Sequence, residues 1–217
     1  MNIGTSLVKS IFSAGAAEIA GEVSELALDD MLNEGVLKDI PVFGWLIKGY
    51  RVVSTVKDRI FLKKIAMFLQ GATVESRLKE EFVDKLSDLS FCQNVGENLI
   101  LLLDRQDNLE KAFILGKSFA AYLSGSIDYD MFLRLAATID RALITDLTKL
   151  QTYYESMKSY EQAPKSSERR IRFQDFLNSE DSQSLCNAGL AFSQNSIGED
   201  ICKPTAIGFC MIDLMSK

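Results

Sequence analysis

Residues 41–70 read PVFGWLIKGYRVVSTVKDRIFLKKIAMFLQ, and the class of fold turns on how this stretch packs. It holds the only tryptophan, Trp45. Its six basic residues, Lys48, Arg51, Lys57, Arg59, Lys63 and Lys64, stand against the single acid Asp58. The resulting net charge of +5 sits in a chain of −6, so everything outside the stretch sums to −11. A basic, apolar, helix-length segment in an acidic protein is either a central packing helix or a surface for something anionic. At about 100° per residue, Val42, Phe43, Leu46, Ile47, Val53, Ile60, Phe61, Ile65 and Phe68 gather on one wide face. Lys48, Arg51, Thr55, Asp58 and Arg59 lie opposite. Lys57 and Lys64 interrupt the apolar face, while Leu62 and Leu69 interrupt the polar one. So broad an arc favours a core helix of a bundle over a helix lying on a surface.

Helical periodicity continues on both sides. Residues 5–33 read as one helix, capped by Thr5 or Ser6, with Leu7, Ile11, Ile19, Val23, Leu26 and Leu28 as its stripe. Gly15, Ala16, Ala17 and Gly21 make part of it thin, which permits close helix–helix approach. After Gly71, Thr73 caps a helix over 73–88 on which Glu80, Asp84 and Asp88 form an acidic ridge, read as a solvated face. A short helix over 94–103 and a turn at 104–108 lead to a helix over 109–124. Ser124, Gly125 and Ser126 stop it. A long helix then starts at Ser126 or Asp128 and runs to about residue 158, burying Ile127, Phe132, Leu135, Ile139, Leu143 and Leu147.

From 159 to 170 the apolar period vanishes, marking a linker. Beyond it come helices over 167–178 and 181–187, a stop at Gly189, short strands over 190–193 and 201–203, and a last helix capped by Thr205. The expected architecture is all-α: a multi-helix bundle domain over 1–160, followed by a small α+β module over 165–217.

Composition narrows the function. With 47% hydrophobic and 25% charged residues, the chain is ordinary for a globular protein with a real core. The acidic balance argues against nucleic-acid binding, which needs a Lys/Arg excess on some face. Cys92, Cys186, Cys202 and Cys210 are scattered, as in reduced, buried thiols of the cytoplasm. The first residues make a poor signal peptide, and no apolar run approaches the roughly 18 residues of a spanning helix. There is no histidine at all, which excludes Ser-His-Asp and Cys-His catalysis and histidine metal ligands. Phosphate loops, dinucleotide fingerprints, nucleophile elbows and metal-spaced cysteines are absent from the sequence too. Asp140 and Asp146 read as surface carboxylates, and Cys92 as a buried thiol.

In the tail, a helix ending in LCNAGL, a hairpin, and PTAIG opening a helix resemble the close of a winged-helix module. The matching positions are Leu185, Gly189, Leu190, Thr205 and Gly208. This ending behind a long helical region is similar to small helical bacterial proteins of the abortive-infection type, the Abi-alpha group. That resemblance implies a bacterial phage-defence setting and no particular activity. The helix in the recognition position carries Glu180 and Asp181 and no Lys or Arg, unlike a base-reading helix. Basic residues sit one helix earlier, at Lys165, Arg169, Arg170 and Arg172. The module therefore reads as a site of protein–protein contact or oligomerisation.

These readings leave three functional expectations. The first is a non-catalytic, cytoplasmic interaction protein without cofactor, metal or small-molecule substrate, meeting a protein partner or its own copies. In the second, the segment 42–69 leaves the fold and binds anionic membrane at the inner face. Its contacts are Trp45, Lys48, Arg51, Lys57, Arg59, Lys63 and Lys64. The third is a DNA-binding regulator working through Lys165, Arg169, Arg170 and Arg172 of the tail.

Overall fold

The computed structural model describes residues 2–13, 39–49, 55–72, 88–161, 180–196 and 199–216. The chain is mostly helical, with one two-stranded sheet near its C-terminus. It divides into two compact units, Met1–Phe132 and Leu133–Lys217. The architecture is thus an all-α bundle with a small C-terminal α+β unit.

In the first unit, α1 (Ile3–Ile11) begins at Asn2, whose side chain accepts from the Thr5 amide at 2.9 Å. The cap is therefore Asn2 and not Thr5 or Ser6, which are buried inside the helix. The helix closes at Phe12. The rest of the expected helix, including Gly15 and Gly21, lies outside the described residues. Helix α1 packs against α2 (Pro41–Gly49) and α4 (Leu89–Arg105). Ser10 ties the first pair: its hydroxyl accepts from the Val42 amide at 2.9 Å and donates to the Ser6 carbonyl at 2.8 Å.

The basic segment is not one helix. Thr55 has extended backbone and caps α3 (Val56–Gly71) through a reciprocal capping box with Asp58. The Asp58 amide donates to Thr55 Oγ1 at 3.1 Å, and the Thr55 amide to the Asp58 carboxylate at 3.2 Å. Two orphan donors are satisfied locally, so the helix has a true start there. A single wheel across 42–69 therefore loses its phase at Thr55. Within α3, Leu62, Ile65, Phe68 and Leu69 are buried, chiefly against α5 (Leu109–Leu123). Leu62 and Leu69, assigned to the polar face on the single wheel, are thus core.

Asp88, expected at the end of an acidic ridge, is instead the N-cap of α4 and accepts from the Ser90 and Phe91 amides. Thr73, Glu80 and Asp84 lie outside the described residues. Helix α4 is longer than expected and turns over Gln106–Asn108 into α5. The stop after α5 is where the sequence places it. Gly125 adopts φ 74°, and the Ser126 amide reaches back to the Ala121 carbonyl at 2.9 Å. Only a left-handed residue closes the helix that way at low cost. Phe68, Phe119 and Phe132 form an aromatic chain through the core, with centroids 5.9 and 5.3 Å apart.

The expected long helix is two helices, α6 (Tyr129–Arg141) and α7 (Ile144–Glu161). The break at Ala142 and Leu143 changes the helical phase. Ala142 turns inward and Leu143 outward, 59% exposed, so Leu143 is not a core residue. Leu147, Leu150 and Tyr153 then continue the buried face of α7. The boundary between the two units falls within α6.

The second unit continues with α8 (Glu180–Ala188), the antiparallel pair β1 (Ala191–Ser196) and β2 (Glu199–Pro204), and α9 (Ala206–Met215). The strands are longer than expected, running in register from Ala191 opposite Pro204 to Ser196 opposite Glu199. The expected helix over 167–178 lies outside the described residues.

Candidate interaction surfaces

The five tail residues picked out by motif come together in space. The Leu190 amide donates to the Leu185 carbonyl at 2.9 Å, closing α8 with Gly189 at φ 83°. The Thr205 amide returns to the Leu190 carbonyl at 3.0 Å, and Thr205 Oγ1 donates to the Gly189 carbonyl at 2.7 Å. That oxygen also accepts from the Gly208 amide at 3.0 Å and so caps α9. A β-carbon at Gly208 would collide with the Leu190 carbonyl. Helix α8, the hairpin and α9 are thus tied at one point, with Leu185, Leu190, Met211 and Leu214 buried around it.

This tie leaves two aromatic side chains in solvent. Phe192 on β1 is 43% exposed and Phe209 on α9 is 46% exposed. Phe209 meets Tyr154 of α7 edge to face, with centroids 5.3 Å apart. Neither Phe192 nor Phe209 stands out in the sequence: one falls in a polar strand, the other next to the helical stripe of α9. Of the basic tail residues, Lys165, Arg169, Arg170 and Arg172 all lie outside the described residues.

In the first unit the basic candidates separate. Trp45 sits half-buried on α2, between buried Gly44 and Leu46, and Lys48 falls within the same helix. Arg51 lies outside the described residues. Lys57 and Arg59 are exposed on α3, whereas Lys63 and Lys64 are half-buried. Lys64 donates to the Asp104 carbonyl at 3.1 Å. Val56 is 74% exposed, and Ile60, expected in the core, is 44% exposed.

Among the described residues, no group of three or more Cys, Asp or Glu side chains could hold a metal ion. Asp146 is buried and accepts from the Ser184 hydroxyl at 2.5 Å, so it is not the surface carboxylate expected. Asp88 is held below the ordinary carboxylate range by hydrogen bonds from Ser90 and Phe91, and Asp107 by the Lys111 ammonium at 2.8 Å. Burial pushes the Cys92 thiol up, with Asp88 adding to the effect. Burial and Tyr129 do the same to Tyr122. These shifts stabilise ionised carboxylates and protonated thiol and phenol, the opposite of a carboxyl acid or a thiolate nucleophile.

No family model, no curated protein and no solved structure matches this chain. No helix among the described residues is long and apolar enough to cross a membrane.

Proposed function

We propose that this chain is a non-catalytic helical interaction protein that works in the cytoplasm through protein–protein contacts of its C-terminal unit. The observation that carries this reading is the exposure of Phe192 and Phe209 on a rigidly tied helix–hairpin–helix framework. Exposed aromatics on a fixed scaffold suit protein recognition, because they bring large contact area at low entropic cost. Gathering Leu185, Gly189, Leu190, Thr205 and Gly208 at one tie supports a winged-helix-like module. The bacterial phage-defence setting rests on the resemblance of this tail alone.

The charge of the tail speaks against DNA as its partner. In sequence, α8 and the hairpin carry four acids, Glu180, Asp181, Glu199 and Asp200, against one basic residue, Lys203. A negative balance in these elements disfavours phosphate contact.

Photo-crosslinking tests the reading. A photoreactive residue at Phe192 or Phe209 in the full chain is expected to give discrete protein adducts in cells, to a partner or to a second copy. The same residue at exposed Gln151 gives none. Failure to form adducts at both phenylalanine positions overturns the reading. A reproducible hydrolase or nucleotidyltransferase activity lost on one Asp or Glu substitution does so as well.

A further inference from the structure

Helix α3 is apolar on two opposite sides. Its inner side, with Leu62, Ile65, Phe68 and Leu69, is filled by the core. On its outer side Val56 and Ile60 are exposed and Met67 is half-buried, in a sector shared by half-buried Lys63. Val56, Ile60 and Met67 fall within about 40° of one another at 3.6 residues per turn. Exposed Lys57 and Arg59 flank the ridge, one on each side. The only carboxylate of α3, Asp58, accepts from the Thr55 amide in the capping box. Farther along, Lys64 is bonded to the Asp104 carbonyl and lies close enough to Asp107 to help hold that carboxyl ionised. Cationic character is therefore concentrated beside Val56 and Ile60.

A helix apolar on both sides has more apolar surface than one packing face covers. The ridge does not suit the same ridge of a second copy, because Lys57 and Arg59 would meet their own equivalents. The charge selects an anionic occupant. The small apolar area selects a yielding one, since two exposed aliphatic side chains, Val56 and Ile60, are few anchors for a folded partner. The geometry points to a bilayer surface containing anionic lipid as that occupant. Helix α3 lies flat on it, Val56 and Ile60 enter the headgroup–acyl boundary, and Lys57 and Arg59 meet the lipid phosphates. The core face stays packed against α5, so binding needs no unfolding of residues 42–69. Two aliphatic side chains and two cations give reversible, salt-sensitive attachment.

Flotation of the full chain with vesicles is the test, using phosphatidylcholine alone or equal parts phosphatidylcholine and phosphatidylglycerol. The expected result is flotation with the anionic vesicles only, weakening as salt rises. Replacing Lys57→Glu together with Arg59→Glu lowers the bound fraction on the order of tenfold or more, at about fivefold for each basic side chain removed. Lys57→Arg with Arg59→Lys retains binding, and Val56→Ser with Ile60→Ser lowers it several-fold. All four side chains are exposed, so melting temperatures stay at the wild-type value and separate weakened binding from failed folding. Absence of flotation with anionic vesicles overturns the proposal, as does flotation indifferent to Lys57→Glu with Arg59→Glu. Capture by soluble polyglutamate that depends on Lys57 and Arg59, without vesicle binding, overturns it too and assigns the face to an acidic protein instead.

Discussion

Gly4 and Gly96 meet backbone to backbone where α1 crosses α4. A β-carbon on Gly96 would collide with the Gly4 carbonyl, and one on Gly4 would come within 2.7 Å of the Glu97 amide nitrogen. Gly71 and Gly116 repeat the arrangement between α3 and α5: a β-carbon on Gly116 would strike the Phe68 carbonyl, and one on Gly71 the Phe113 carbonyl. Both helix pairs are held at a separation that only glycine allows.

That geometry fixes the sign of a substitution. In an unconstrained helix, Gly→Ala stabilises by about 1 kcal/mol. At Gly96 the added methyl has backbone on the far side, which cannot step aside. Gly96→Ala is therefore expected to destabilise by about 1–3 kcal/mol. Because the two residues share one crossing, Gly4→Ala combined with Gly96→Ala costs less than the sum of the single changes. Urea unfolding of the three variants measures both effects, and a stabilised Gly96→Ala protein would refute the close crossing.

The capping box at Thr55 makes a separate prediction about the basic segment. Thr55→Ala removes the acceptor for the Asp58 amide and is expected to cost about 1 kcal/mol. Amide exchange should quicken at Asp58 and its neighbours in the first turn of α3, while Leu62 to Leu69 stay protected. If one uninterrupted helix ran through residue 55, alanine would instead be neutral or favourable there. The exchange pattern distinguishes the two cases.

Cys92 and Asp88 set opposite pH limbs. Burial raises the Cys92 thiol above its ordinary value, so its contribution is complete below that value and is lost as pH rises through the folded one. Cys92→Ala is expected to flatten the alkaline fall in stability. Hydrogen bonds from Ser90 and Phe91 lower Asp88, so its contribution is present above the ordinary carboxyl value and is lost as pH falls through the folded one. Asp88→Asn is expected to flatten the acid limb and, because the Asp88 charge adds to the Cys92 shift, to soften the alkaline limb as well. Unfolding midpoints followed across pH check both, and thiol labelling near neutrality should find half-buried Cys186 and Cys210 well before Cys92.

Legibility in the sequence follows the range of the forces involved. Thr205 as a cap, Gly125 and Gly189 as left-handed stops, and the hairpin after Leu190 can all be read directly, because each is decided within a few residues of chain. The candidate surfaces cannot. A single wheel drawn through Thr55 places Ile60 in the core, and Phe192 and Phe209 look like ordinary strand and helix residues. Exposure is a property of what packs against a residue, and a single helix or strand does not contain that information.

The sequence by itself determined the helical class, the α+β ending, and the lack of histidine chemistry, since periodicity, capping residues and composition act locally or not through structure at all. Tertiary structure alone decided that the long helix breaks before α7. It alone brought Gly4 to Gly96, buried Asp146 beneath Ser184, and left Val56 beside Lys57 in solvent. Those outcomes depend on close packing between segments tens of residues apart, where excluded volume and buried hydrogen bonds override the preferences of any one stretch.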